Sequence, residues 1–238
     1  MERIIKIILI LAVVTTIGYV LGVGTNTSEV RVKDAQGNVQ VIKPAATSEL
    51  AALNPGYVSQ LPWFISRSSA LAAYILLFAI VIWGMGMTVG WTYKIFDPAR
   101  AWQLHQDMSL SFAVLVVVHA FSLLFDHFIN FTILDILIPF FSKFNTIFLS
   151  LGIIGFYLLV AIVVISVFLR LKMPRLWRLN HYSTFLLFIF ATLHGFNMGT
   201  DSSTMIMKIV YPVAAIVFLL VATYRFIIYP LSVKKKIG

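Results

Sequence analysis

Leu104-His105-Gln106-Asp107-Met108, and the apolar run that continues to Val118-His119, decide how this chain is read. His105 opens the run and His119 lies deep inside it, 119 − 105 = 14 residues on. Asn180-His181-Tyr182 leads into a second apolar run that closes on His194, a spacing of 194 − 181 = 13. Imidazole is costly to place in hydrocarbon, and an ionisable residue there marks function by default. Histidine is also a common metal ligand, and a haem iron accepts two of them. Four histidines in two such runs predict two stacked haems b with bis-histidine ligation, each haem taking one ligand from each helix.

Composition places those runs in a membrane. Hydrophobic residues make up 60% of the 238 and charged residues 11%, and the mean hydropathy is +0.94. A soluble domain averages about 45–50% apolar and about 25% charged. The absence of cysteine excludes disulfides, iron–sulfur clusters and zinc–thiolate sites. The net charge of +9 is not a nucleic-acid signal in this class, where clustered Lys and Arg report orientation.

Apolar runs at residues 4–23, 65–88, 103–125, 147–169, 182–196 and 205–228 predict an all-α membrane protein of six spans. The first run follows Met1-Glu2-Arg3 and reads as a retained helix: it has the ~20 residues of a span, against ~7–15 for a signal-peptide core. Residues 24–63 are the one extended polar segment. Val30-Arg31-Val32-Lys33-Asp34 and Val39-Gln40-Val41-Ile42-Lys43 alternate around Gln36-Gly37-Asn38, a weak β-hairpin signal. This segment reads as a linker, or as a docking surface. Residues 64–230 then form the haem-binding domain and residues 231–238 a basic tail.

Loop charges orient the spans. Lys94 and Arg100, then Arg170, Lys172, Arg175 and Arg178, then Lys234, Lys235 and Lys236 occupy alternate connections, while residues 127–146 and 195–204 are poor in basic side chains. Positive loops stay inside. Both termini are therefore expected in the cytoplasm and residues 24–63 outside, where Arg31, Lys33 and Lys43 are offset by acidic residues. The third and fifth spans then run the same way. His105 pairs with His181 near the inner face and His119 with His194 nearer the outer one, the two levels roughly 20 Å apart at about 1.5 Å per residue. The angular fit is uneven. Fourteen residues at about 100° each fall 40° short of four turns, so His105 and His119 share a face; thirteen fall 140° short. Either the fifth span is distorted or His181 sits at its frayed start; a π or 3₁₀ distortion is predicted between Asn180 and His194.

The propionates of a haem need cations. Arg67, near the outer end of the apolar run 65–88, suits an outer propionate, with snorkelling to the interface as the plainer reading. Arg100 and Arg178 precede His105 and His181 by five and three residues and suit the inner propionates, or serve only as inside charges. Trp102 and Trp177 lie at the same interface, and Phe112, Phe121, Phe185 and Phe190 are available to line the cofactors. His127, past the third span, reads as a solvated loop residue.

At these residues the chain resembles the ferric reductase-like transmembrane domain family, which includes NADPH oxidases, ferric-chelate reductases and the haem-binding membrane subunit of a periplasmic methionine-sulfoxide reductase. The resemblance covers about residues 66–229. It rests on Arg67-Ser68-Ser69-Ala70, Leu104-His105 with His119, and Trp177-Arg178-Leu179-Asn180-His181 with His194. The 14 and 13 spacings match the family's two-haem members. Ser109-Leu110-Ser111 stands where the family often has glycine, and Asn180 where leucine is commoner. There is no glycine-rich dinucleotide loop, so no flavin or nicotinamide domain is expected in this chain. The resemblance implies a plasma-membrane, multi-pass electron carrier. Its donor is a separate cytoplasmic flavoprotein or a quinol, and its acceptor an extracytoplasmic reductase, ferric iron or oxygen. Three alternatives stand beside it: a quinol-oxidising anchor of a dehydrogenase or reductase complex, a transporter using the histidines as a proton relay, and a non-catalytic scaffold.

Overall fold

The computed structural model describes residues 30–33, 39–42, 55–126 and 131–232. The first apolar run, His127 and the lysine tail lie outside the described residues. β1 (Val30–Lys33) pairs antiparallel with β2 (Val39–Ile42), Val30 opposite Ile42 and Lys33 opposite Val39, as the alternation predicts.

The rest is helical: α1 (Pro55–Val89), α2 (Pro98–Ser122), a short α3 (Ile133–Leu137), α4 (Thr146–Phe168), α5 (Pro174–Met198) and α6 (Met205–Thr223). Local chemistry sets several of the ends. Asp97 caps α2 by accepting the Arg100 amide at 3.0 Å, and Pro98 follows at the first helical position, where its missing N–H costs nothing. Pro174 opens α5 in the same way. Thr132 and Asp135 form a reciprocal capping box on α3, and Thr204 caps α6.

Four helical segments are long and apolar enough to cross a membrane: Leu61–Val89, Pro98–Phe125, Thr146–Phe168 and Met205–Ser232. α5 has 25 residues, about 37 Å at 1.5 Å per residue, but Arg175, Arg178, Asn180 and His181 make its first half more polar.

α1 packs along α2 and α4 along α5. The two pairs are joined through α1, α5 and α6 rather than by close packing of α2 on α5. An aromatic cluster fills that joint. Tyr74 stacks on Phe188 at 5.9 Å and lies 4.9 Å from Tyr211, while Phe188 lies 4.7 Å from Phe218. The Tyr74 hydroxyl meets Thr192 Oγ1 at 3.2 Å, so its polar end is not left unsatisfied in the core. Phe188 is 1% exposed, the most buried large side chain of the described residues.

One sequence expectation changes here. No distortion interrupts α5, which is continuous α-helix from Pro174 to Met198. The π-turn of the described residues lies at Tyr224–Ile228, beyond Pro212, at the end of α6. A projection onto an ideal helix places only Cβ, so the 140° offset between His181 and His194 does not by itself require a break.

Candidate functional site: two facing histidine pairs

The four histidines meet as two pairs. His105 on α2 faces His181 on α5 with ring centroids 6.1 Å apart, and His119 faces His194 at 6.4 Å. The N-terminal histidine of α2 meets the N-terminal histidine of α5, and the C-terminal one meets the C-terminal one. The two helices therefore run in the same direction, as loop charge predicts.

These separations discriminate between chemistries. A direct imidazole–imidazole hydrogen bond, about 2.9 Å between nitrogens that each lie about 1.2 Å from their centroids, brings the centroids to about 5.3 Å. A metal ion between the two nitrogens, at about 2.0 Å from each, puts the ring centroids about 6.4 Å apart. Neither pair is joined by a hydrogen bond. Among the described residues no group of three or more metal-ligating side chains of the His, Cys, Asp and Glu types occurs.

The pair at the C-terminal ends of α2 and α5 is oriented by backbone. His119 Nδ1 donates to the Ser66 carbonyl on α1 at 3.0 Å, with Ser66 Oγ also at 3.0 Å. His194 Nδ1 donates to the Phe148 carbonyl on α4 at 2.8 Å. A carbonyl can only accept, so both rings carry their proton on Nδ1 and present Nε2 as a lone pair. This is the arrangement of ligating histidines, whose other nitrogen is held by a carbonyl or carboxylate. A glycine makes room for one ring. A Cβ at Gly152 would lie 2.6 Å from His194 Cε1 and Nδ1.

The other pair is held differently. Trp102 stacks on His105 at 6.0 Å and Trp177 on His181 at 5.4 Å. Trp177 is fixed by Nε1 donating to Ser166 Oγ at 3.2 Å, and Asn180 Nδ2 donates to the Ala161 carbonyl at 3.3 Å, tying α5 to α4 at this level. Both His105 Nδ1 and His181 Nδ1 are buried without a hydrogen-bond partner.

The chain matches no protein family, no curated protein and no solved structure.

The arginines divide. Arg67 holds Asp201 in a two-pronged ion pair and lies 4.8 Å from the Trp63 ring. The carboxylate in its contact is thus a side chain 134 residues away, where the sequence reading put a propionate. Arg100 is exposed and pairs with Asp97 at 3.1 Å. Arg178 is exposed and donates to the Pro174 carbonyl at 3.3 Å. A cation that sequence reasoning did not single out, Arg170, lies 4.8 Å from the Trp102 ring. Of the phenylalanines, Phe112 is core, Phe185 packs against the aromatic cluster, Phe190 is half-buried and Phe121 is exposed.

Ser66, Phe148, Gly152 and Asp201 were also missed. Ser66 adjoins the Arg67-Ser68-Ser69 motif and was within reach of the sequence. A backbone carbonyl such as that of Phe148 has no side-chain signature, and none was available.

Proposed function

We propose that this chain is a two-haem b-type membrane cytochrome that carries electrons across the bilayer. The observation that carries the reading is the double pairing of imidazoles at a metal-bridging separation, on parallel helices, at two depths. His105 and His181 would hold one haem and His119 and His194 the other. Held by two histidines at each site, the group would supply reversible one-electron transfer rather than a site for substrate.

The residues present fit that group on three counts. Ring separations match two metal–nitrogen bonds. Nδ1 protonation at His119 and His194 leaves Nε2 free to ligate. α2 and α5 stand apart, so that histidines rather than backbone bridge them. A proton relay within each pair is less well supported, since the rings are too far apart to share a hydrogen bond.

Charge supports an orientation. The end of the bundle with His105 and His181 carries Lys94, Arg100, Arg170, Lys172, Arg175, Arg178 and Arg225. Lys143 and Lys208 accompany Asp126, Asp135 and Asp201 at the other. The basic end is the cytoplasmic one by the positive-inside rule, in a chain read as six spans of the plasma membrane. The donor is then a cytoplasmic flavoprotein or a quinol, and the acceptor an extracytoplasmic reductase or small oxidant.

Purified protein in liposomes loaded with ferricyanide tests this. External dithionite should reduce the trapped ferricyanide only when the protein is present. Equal rates from protein-free vesicles, or from a His119→Ala variant, would contradict the reading.

A further inference from the structure

We infer that the two sites are electronically unequal, the site of His119 and His194 lying at the lower reduction potential. The inference rests on the haem reading and adds an order to it. At this site both imidazoles donate from Nδ1 to backbone carbonyls, at 3.0 and 2.8 Å. Such bonds raise the basicity of the ligating nitrogen and so stabilise the oxidised metal. At the site of His105 and His181 neither Nδ1 has a partner, and both rings are covered by indole instead. These two ligands stay weaker bases and favour the reduced metal.

Fixed charge acts in the same direction. Arg170 stands over Trp102, which stacks on His105, and a nearby cation stabilises an added electron. Arg67, which follows Ser66 at the other pair, is matched by Asp201. Hydrogen bonding and charge thus both make the step from basic end to opposite end the unfavourable one. Electrons would rest at the basic end until an oxidant empties the far site.

Ser66 is the positioning residue that makes this testable. Its hydroxyl donates to the His119 carbonyl at 3.3 Å, which leaves Oγ to accept from His119 Nδ1 beside the carbonyl. Potentiometric titration of the purified full chain should resolve two components. His105→Ala isolates the Ser66-end component and His119→Ala the basic-end one. The first should be at least tenfold more oxidised than reduced at the ambient potential that half-reduces the second, about 59 mV for one electron. Ser66→Ala should raise the Ser66-end component alone, and Ser66→Thr should restore it. Equal or inverted potentials overturn the inference while leaving the haem reading intact; an unmoved midpoint in Ser66→Ala overturns only the part given to the Ser66 hydroxyl, because the carbonyl bond to His119 Nδ1 remains. Protein without b-type absorbance overturns both. The ordering is read from the histidine variants alone, so it holds as a test even where Ser66→Ala loses its cofactor.

Discussion

A methyl group at Gly152 should empty one site and spare the other. The added Cβ would lie 2.6 Å from His194 Cε1 and Nδ1 and 3.1 Å from Cγ. Carbon contacts are comfortable only from about 3.5 Å, so the ring must retreat by roughly 0.9 Å. Phe148 is one turn before Gly152 on the same face of α4, so the retreat also stretches the 2.8 Å bond to the Phe148 carbonyl beyond hydrogen-bond range. A buried donor left unpaired costs about 1–3 kcal/mol, and overpacking about as much again. Together, about 2–6 kcal/mol at about 1.4 kcal/mol per factor of ten, these weaken the site by about 30-fold to roughly 20,000-fold. The neighbouring glycines grade the effect. At Gly84 the Cβ would meet His105 Cε1 at 3.3 Å, a tight contact, and at Gly155 it would meet Leu187 Cδ1 at 3.4 Å, an ordinary one. The amplitude of the reduced-minus-oxidised α-band, per mole of chain, reads the outcome. Gly152→Ala should retain about half the wild-type amplitude, Gly84→Ala most of it, and Gly155→Ala all of it. Full amplitude in Gly152→Ala, or equal losses in all three, would refute the placement of the His194 ring.

Other outcomes follow from the same contacts. His105→Ala and His181→Ala should remove the same cofactor, and His119→Ala and His194→Ala the other, as read by the midpoint of the component that remains. Arg67→Met should lower stability by about 3–5 kcal/mol, because it removes the buried ion pair with Asp201, and Arg67→Met with Asp201→Leu should recover most of that in a thermal melt. Trp177→Ala should loosen the basic-end cofactor and leave the far one in place, since the indole covers only His181. Cofactor release during dilution reads that difference.

The histidine pairing was legible because it rests on quantities a sequence carries directly. Spacing gave the two levels, and loop charge gave the relative direction of α2 and α5. The facing rings of His105 with His181, and of His119 with His194, agree with both. The predicted break in α5 was not found, because helical projection fixes where Cβ points and not where an imidazole two torsions further on can reach. The partner of Arg67 was hidden for another reason: Asp201 lies in a short polar connection with no periodicity to mark it, and only the fold brings it beside α1. The ends of α5 were also short in the sequence reading, since Arg175, Arg178 and Asn180 end the apolar run while the helix continues through them to Pro174. The hairpin was legible from alternation alone.

The most direct test of the account is the ratio of porphyrin to polypeptide in the purified chain, measured by extracted haem against amino-acid analysis. Two equivalents per chain are predicted, falling to one in His105→Ala and in His119→Ala. A colourless protein, or one equivalent that survives loss of any single histidine, would contradict it.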